Sequence, residues 1–287
     1  MQRCIFRFKQ SRSSGNPPPH QLAGWFFWGL LSIALPFGFP PALPPAVAQA
    51  ETGKVESVTT ETAQPETAQP ETDKPDESVV PEGINVPFLN PELDAQEWIN
   101  RFEVESREIF ACRKAIVASL KLRAGTRIAD VGAGTGLFLP LFSRAVAEEG
   151  KVFAMDISPR LIAHLKQRVA GKGLKNVDVV LSKENSTDLP SGSIDLVFIC
   201  DTYHHFEYYD EMLRSINQGL REGGELVVID FERIEGVTRE WLLSHVRAGK
   251  ERVRKEITKA GFQFLEEVDI EGLQENYFLR FQKPSQP

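Results

Sequence analysis

The sequence predicts a doubly wound α/β domain, in which helices cover both faces of a mostly parallel sheet. Three observations carry this prediction. Beyond residue 120, short apolar runs alternate with helical stretches, a glycine-rich turn follows the first of those runs, and the last two runs have no helix between them. Continuous apolar runs are typical of strands that are buried on both faces, and alternation of strands with helices favours a parallel sheet.

The composition narrows the class of protein. The chain has 287 residues, of which 41% are hydrophobic and 25% charged, and its formal net charge is −7. Residues 1–50 contain four basic residues and no acidic one, so the remaining 29 basic and 40 acidic residues carry a net charge of −11. An acidic body without a basic stripe lacks what a sequence-independent nucleic-acid binder needs. We therefore expect no nucleic-acid partner.

Residues 1–50 are predicted to be a signal peptide. A basic start precedes an apolar stretch over residues 22–35, which is shorter than the roughly 20 residues that a membrane-spanning helix needs. Small residues at 46, 48 and 50 offer cleavage sites, and cleavage after Ala50 is favoured because the acidic composition begins at Glu51. We expect a periplasmic or otherwise extracytoplasmic protein without a stable membrane anchor. An uncleaved signal anchor and, if the start is misassigned, a cytoplasmic location are the alternatives.

An acidic linker is predicted over residues 51–82. This segment contains nine acidic and two basic residues, and the pentad Glu-Thr-Ala-Gln-Pro at 61–65 is repeated at 66–70. Such a segment has no apolar material for a core, and its regular prolines prevent a long helix. The folded domain is therefore expected over residues 83–287.

The elements of that domain follow in order. A helical region is predicted from Pro91 to Leu120. Strands are then expected over residues 127–131, 151–156, 177–181, 194–200 and 225–230. Helices are expected over residues 137–147, 159–171, 209–220 and 238–260, with a break near Gly249. The last two strands, over 262–268 and 277–282, are predicted to form an antiparallel hairpin at one edge of the sheet.

The strongest local signal is the turn that follows the first strand. Gly132, Gly134 and Gly136 allow a tight turn and let a ligand approach the main-chain NH groups. Asp156 ends the second strand, twenty residues beyond Gly136, where a carboxylate can accept hydrogen bonds from both hydroxyls of a ribose. Together these features predict an adenosine-containing ligand.

Two such ligands compete, a dinucleotide and S-adenosylmethionine. Dinucleotide sites usually space their glycines G-x-G-x-x-G, whereas the spacing here is G-x-G-x-G, and Asp130 precedes the turn. A carboxylate at that place repels a pyrophosphate but attracts the ammonium group of a methionine moiety. Charge therefore favours S-adenosylmethionine.

Residues 95–282 resemble the class I S-adenosylmethionine-dependent methyltransferases. The resemblance lies in the turn that begins at Asp130, in Asp156, in the stretch 185–190 before Leu-Pro, in the fourth strand and its loop up to Phe206, and in the turn at 220–226. It implies a seven-stranded Rossmann-like sheet and S-adenosylmethionine as cofactor. The cofactor-binding residues that it implies are Asp130, Gly132, Gly134, Gly136, Asp156, Ile157, Asn185, Ser186 and Asp201. Asn185 stands where the family often has an aspartate, and its amide oxygen can accept the same bond from adenine without charge.

Catalytic candidates follow the fourth strand. His204 and His205 are expected beside the ligand crevice, where a histidine can accept a proton near neutral pH, and Tyr203 can orient an acceptor. The alternative is that these side chains only shape the pocket. Arg247 can grip an anionic acceptor or lie in a surface salt bridge. No metal site is expected, because the adjacent rings of His204 and His205 are predicted to point apart.

The sequence thus predicts methyl transfer from S-adenosylmethionine to an unidentified small-molecule acceptor. Two alternatives stay open at this point. One is a non-catalytic module that binds an adenosyl ligand. The other is an NAD(P)-linked oxidoreductase, for which the chain offers no obvious Tyr-x-x-x-Lys pair.

Overall fold

A computed structural model describes residues 80–285. The predicted signal peptide and residues 51–79 of the predicted linker lie outside the described residues, so both stay predictions. Among the residues that are described, no helix is both long enough and apolar enough to cross a membrane.

Seven strands form a single sheet in the described domain. They are β1 (Arg127–Val131), β2 (Lys151–Asp156), β3 (Val177–Leu181), β4 (Ile194–Cys200), β5 (Leu220–Phe231), β6 (Gln263–Glu267) and β7 (Asn276–Gln282). Their order is β3-β2-β1-β4-β5-β7-β6. Strands β1 to β5 are parallel to one another, and β7 runs antiparallel to both β5 and β6. The predicted fold class and the antiparallel hairpin are confirmed.

The helices precede, connect and cover the strands. They are α1 (Val86–Leu89), α2 (Ala95–Phe102), α3 (Glu108–Ser119), α4 (Leu139–Val146), α5 (Pro159–Gly171), α6 (Tyr209–Gly219), α7 (Glu240–His245) and α8 (Lys250–Lys259), with a short 3₁₀ helix at Tyr203–His205. Ser158 begins α5 by accepting a hydrogen bond from the NH of Leu161, and Pro159 occupies its first turn. A proline there costs nothing, because that NH has no partner inside a helix.

Two apolar clusters, one on each face of the sheet, form the core. Strand β4 contributes residues to both clusters, because its successive side chains point to opposite faces of the sheet. Leu196 and Phe198 join one cluster, and Val197 and Ile199 join the other. All four are buried, which explains why the sequence shows a continuous apolar run here.

The sheet order places a topological switch point at the centre of the domain. β1 pairs with β2 on one side and β4 on the other, so the connections that leave these strands diverge to opposite faces of the sheet. A crevice forms at such a point, outside the carboxyl ends of the strands, and it is the usual ligand site of open α/β sheets.

The structure differs from the predicted elements in three main places. The first is α1, a short helix that precedes the predicted helical region. The helical region predicted from Pro91 to Leu120 is broken over residues 103–107, between α2 and α3. In addition, β5 begins at Leu220 rather than Glu225. Leu220 pairs with Ile194 and Glu225 with Leu196, so a bulge between these pairs accommodates residues 221–224.

Candidate functional site

A cavity of about 920 Å³ opens at the carboxyl ends of β1, β2 and β4. One half, which we call the donor half, is lined by the glycine turn, Asp130 and Asp156. The other, the acceptor half, is lined by three histidines and by aromatic side chains. The histidines are His204, His205 and His245. The aromatic residues are Phe88, Trp98, Phe102, Phe206, Phe231 and Trp241.

The glycine turn lies close to the loop after β4. Gly132 has a φ of +75°, and a Cβ added there would lie 2.3 Å from Cγ2 of Thr202. Gly134 has a φ of +54°, and its NH donates a hydrogen bond of 2.9 Å to Oδ2 of Asp156. These two positions need glycine, because side chains rarely adopt this backbone region and at Gly132 none would fit.

Asp130 presents a buried carboxylate to the cavity. It is 3% exposed, and its Oδ2 has no hydrogen-bond partner among the described residues. Burial, and to a lesser extent the charge of Asp156, raises the pKa of the Asp130 carboxyl to about 8. A buried carboxylate without a partner is costly, so this atom favours a ligand that brings a positive charge or a hydrogen-bond donor.

Asp156 is held in place by the main chain. Its Oδ1 accepts a hydrogen bond of 2.9 Å from the NH of Ser158, and its Oδ2 accepts the bond from Gly134. Burial raises the pKa of Asp156 to about 6, although the backbone bonds from Ser158, Gly134 and Ile157 oppose that rise. Each carboxylate oxygen can accept a further bond, so two neighbouring hydroxyls are suitable partners.

Asp201 lines the cavity, but its carboxylate is engaged. Arg107, from the break between α2 and α3, forms an ion pair with Oδ2, and the amide of Asn276 donates a hydrogen bond of 2.6 Å to Oδ1. Burial raises the pKa of Asp201 to about 6, and the Arg107 guanidinium limits the rise. Arg107 and Asn276 were not predicted as site residues, since neither belongs to a recognisable motif.

His204 is fixed by a carboxylate at the end of β5. Its Nδ1 lies 2.7 Å from Oδ1 of Asp230, and its backbone NH donates to Oδ2 of the same side chain over 3.0 Å. Both residues are buried. Since a carboxylate only accepts, Nδ1 carries the proton in the neutral imidazole and Nε2 keeps a free lone pair.

His205 and His245 lie next to His204. The ring centroids of His204 and His205 are 4.3 Å apart. The ring centroid of His245 lies 5.1 Å from that of His204 and 5.3 Å from that of His205. The prediction that the adjacent rings point apart is therefore wrong. The reason is the 3₁₀ helix, whose tight turn keeps both rings on the cavity side, whereas an extended strand would alternate them.

The imidazoles of His205 and His245 lie in an apolar environment. Burial lowers the pKa of His205 to about 2, with further lowering from His204 and His245, and burial also lowers the pKa of His245. Edges and faces of Phe88 and Trp241 pack against them, with centroid distances of 5.1 Å and 5.9 Å. The neutral form of each ring is therefore favoured.

The segment before α3 closes the acceptor half. The side-chain amide of Asn85 donates to the backbone oxygen of His205 over 3.1 Å and to Oε1 of Glu207 over 3.0 Å. Further along, Glu103 accepts a hydrogen bond from Thr135 and forms a bidentate ion pair with Arg168. These bonds tie the segment to both halves of the cavity.

Comparison with known proteins fits this geometry. Residues 129–228 match a family model described as a methyltransferase domain. A crystal structure of a SAM-dependent methyltransferase from Aquifex aeolicus superposes with a TM-score of 0.59 and 26% identity, covering 66% of this chain and 98% of that one. The described domain therefore resembles the class I S-adenosylmethionine-dependent methyltransferases in both sequence and fold.

Curated relatives extend the similarity over part of this methyltransferase domain. The ubiquinone/menaquinone biosynthesis C-methyltransferase UbiE of Pseudoalteromonas translucida is 30% identical over 124 residues, which are 43% of this chain and 49% of that protein. The Pseudomonas putida protein of the same name is 30% identical over 113 residues, or 39% and 44% of the two chains. The chain thus spans about half the length of the curated relatives it matches.

The donor half of the methyltransferase domain fits S-adenosylmethionine. The unpartnered Oδ2 of Asp130 suits the ammonium of the methionine moiety, Gly132 and Gly134 line this half without side chains, and Asp156 can accept from the ribose hydroxyls. When bound, the cofactor supplies a methyl group on a positively charged sulfur. Ile157 also lines this half, and its predicted contact with the cofactor stays a prediction.

Two predicted cofactor residues lie outside the cavity wall. Asn185 and Ser186 do not line the cavity, and Ser182 and Glu184 form its wall instead. The Ser186 hydroxyl is engaged with Asp188, to which it donates over 2.7 Å. The loop after β3 thus places neither residue in the cavity wall.

Gly136 has a packing role. It does not line the cavity, and a Cβ added there would lie 2.8 Å from Cδ2 of Leu165 and 3.0 Å from Cδ1 of Leu139. It therefore lets α4 and α5 pack closely beside the turn.

Tyr203 is not placed to orient an acceptor. Its side chain is buried outside the cavity wall, and its hydroxyl donates to Oε2 of Glu256 over 2.9 Å. The same Glu256 forms a bidentate ion pair with the buried Arg247, which likewise does not line the cavity. Neither the acceptor grip nor the surface salt bridge predicted for Arg247 is present, since its side chain lies in the core beneath α8. The roles predicted for His204 and His205 stay predictions.

Proposed function

We propose that the protein transfers the methyl group of S-adenosylmethionine to a small-molecule acceptor bound in the acceptor half. The observation that carries this proposal is the unpartnered, buried carboxylate of Asp130, which lies in one continuous cavity with Asp156 and with the histidine cluster. The carboxylate of Asp130 attracts a cation, and that of Asp156 can bind a ribose. Together they favour a sulfonium donor over a dinucleotide.

The residues of the chain act mainly by positioning the donor and the acceptor. Methyl transfer is an in-line displacement, so holding donor and acceptor at the right distance and angle supplies much of the rate enhancement. The glycine turn, Asp130 and Asp156 hold the donor. Opposite them, the aromatic side chains of the acceptor half hold the acceptor and exclude water.

The lining favours an apolar or aromatic acceptor. Phe88 and Trp98 lie with ring centroids 4.5 Å apart on one side, and Phe231 and Trp241 lie 6.4 Å apart on the other. Rings in this arrangement bind flat apolar groups through their faces and edges. The curated relatives are named for C-methylation in ubiquinone/menaquinone biosynthesis, which agrees with an acceptor of this kind. We propose that nucleic acids are not acceptors, because the chain is acidic.

We propose further that the protein is exported. The basic start, the apolar stretch over residues 22–35 and the small residues at 46, 48 and 50 support this location. Mass measurement of the protein recovered from the cell envelope tests the proposal. We expect a mature chain that begins at Glu51, and a full-length chain recovered with the cytoplasm contradicts export.

Calorimetric titration of the purified protein tests the activity at its first step. We expect S-adenosylmethionine and S-adenosylhomocysteine to bind at one per chain and NAD(P) not to bind. Asp156→Ala should weaken binding of both ligands by about 10- to 100-fold, because bonds to a charged group contribute about 1.5–3 kcal/mol. Asp178→Ala is the matched control, since Asp178 is an exposed strand residue outside the cavity.

The titration also separates the alternatives. Capture of a nicotinamide nucleotide without S-adenosylmethionine contradicts the proposal. Release of S-adenosylhomocysteine on incubation with mixtures of small aromatic compounds then distinguishes an enzyme from a module that only binds.

A further inference from the structure

The three histidines of the acceptor half come from two separate parts of the chain. His204 and His205 belong to the 3₁₀ helix after β4, whereas His245 ends α7. One ring nitrogen from each lies within 4.8 Å of the others. A tetrahedral zinc ion with nitrogen ligands at about 2.0–2.1 Å requires its ligand atoms to be about 3.4 Å apart. Each ring therefore has to move by only about 1 Å or less to reach a common ion.

We propose that His204, His205 and His245 bind one divalent transition-metal cation, for which Zn²⁺ is the probe, at the acceptor end of the cavity. Imidazole nitrogen is a preferred ligand of this class of cation, and three histidines with an open fourth position form a complete zinc site.

The contacts around His204 are those of an oriented metal ligand. Asp230 accepts from Nδ1 and from the backbone NH of His204, so the free lone pair of Nε2 is fixed in direction. A carboxylate behind a metal-binding histidine commonly sets the tautomer and strengthens the ligand in this way. Asp230 itself is 1% exposed and also accepts from the NH of Phe231, so it cannot turn away.

His205 supplies an independent observation. Its Nδ1 is buried and has no hydrogen-bond partner among residues 80–285. A buried polar nitrogen without a partner costs free energy, and this one lies against two other imidazoles that carry lone pairs of their own. A cation bound between the three rings would give each of them a partner.

The surroundings suit a site with one open position. Phe88, Phe231 and Trp241 pack against the three rings and restrict their movement. Each histidine also lines the cavity, so the fourth position of the cation faces the acceptor. This part of the inference rests on the proposed function: the acceptor would carry an oxygen, nitrogen or sulfur donor that coordinates the cation.

Metal titration of the full-length protein, prepared without a polyhistidine tag, tests the site. We expect saturable binding of one Zn²⁺ per chain by calorimetry. The cobalt-loaded protein should show the visible absorption of tetrahedral Co²⁺. Absence of saturable binding at one cation per chain overturns the proposal.

Variants locate the site. His245→Gln and His205→Gln should each weaken Zn²⁺ binding by at least about 100-fold, and Asp230→Asn by about 10- to 100-fold, as expected for a residue that orients a ligand. His164→Gln is the matched control, because His164 lies on α5 outside the cavity and contacts the backbone oxygen of Thr135. Equal Zn²⁺ binding by wild type and His245→Gln overturns the proposal, since the cation then lies elsewhere.

S-adenosylhomocysteine titration of the same samples separates this inference from the proposed function and checks folding. A variant that has lost Zn²⁺ but binds S-adenosylhomocysteine normally is folded, so its loss supports the site. Wild type that binds S-adenosylhomocysteine but no cation refutes the metal site alone. Wild type that binds the cation but no adenosyl ligand refutes the proposed function alone.

Discussion

Asp130 is expected to make the ligand-free protein sensitive to pH. Its pKa of about 8 lies well above the ordinary value of about 3.9, so the folded state holds a proton that the unfolded chain releases. The stability that this proton confers is complete at low pH and is lost as the pH rises through the folded-state pKa. Asp156 and Asp201 titrate near pH 6, so Asp130 dominates among these three carboxyls between about pH 6 and 8.

The substitution Asp130→Asn tests whether this carboxyl causes the pH dependence of stability. We expect urea unfolding to show a free energy that falls from pH 6 to 8 in the wild type and falls less in the variant, which should be the more stable of the two at pH 8. The same variant should bind S-adenosylmethionine about 10- to 100-fold more weakly, because the charged partner of the ammonium is gone. A variant that is less stable and binds normally would contradict the role given to Asp130.

Sequence reasoning placed Asp130 and Asp156 beside one crevice because the signals that mark them are local, and their contacts with the donor stay predictions. Asp130 is the penultimate residue of β1 and Asp156 ends β2, so the register of these neighbouring strands was enough to bring them together. The prediction that Tyr203 faces the acceptor was wrong. One turn of 3₁₀ helix decides which of three adjacent side chains line the cavity, and the sequence did not reveal that turn. His245 joins His204 only through the folding of α7, which no local pattern reveals.

At the scale of elements, the glycine turn should not tolerate a side chain. Gly132→Ala meets both an unfavourable φ and Thr202, so we expect a loss of more than about 2 kcal/mol of stability together with loss of S-adenosylmethionine binding. Gly173→Ala has a similar φ of +62° with nothing within 4 Å, and it should cost only about 1–2 kcal/mol. Thermal unfolding of both variants measures the difference. Equal losses would mean that Thr202 moves aside freely.

The break between α2 and α3 should contribute stability through Arg107. Removing its guanidinium leaves the half-buried carboxylate of Asp201 without its cation, which typically costs about 1–3 kcal/mol. We therefore expect Arg107→Met to lower the free energy of urea unfolding at pH 8 by that amount. Arg214→Met, which removes an exposed arginine paired with Glu211, should change it by less than about 0.5 kcal/mol. Comparable losses in the two variants would show that the contact with Asp201 is not stabilising.

This break also marks where element prediction failed. The strands β1 to β4 begin and end at the predicted residues, because burial on both faces makes each a distinct apolar run. The helical periodicity before Leu120 gave no sign of an interruption. Glu103 and Arg107 leave the helical path to reach Thr135, Arg168 and Asp201, and such tertiary contacts are invisible in a periodic pattern.

At the scale of the whole molecule, the core and the cavity share one aromatic cluster. Phe198 in β4 packs against Phe138 and Phe142 with centroid distances of 4.9 Å and 5.1 Å, and Phe138 also lines the cavity. Phe198→Ala should lower the free energy of unfolding by about 3–5 kcal/mol. Leu265→Ala, at a site 40% exposed, should cost far less. Chemical denaturation compares them, and similar losses would place the core elsewhere.

Part of the acceptor half is encoded outside the stretch of the chain that contains the donor half. Asp130, Asp156 and the 3₁₀ helix lie within residues 129–228, whereas Phe88, Trp98 and Trp241 lie outside them. Exchange of those outlying segments with a homologue is thus a direct route to altered substrate preference, since it leaves the handling of the methyl donor untouched.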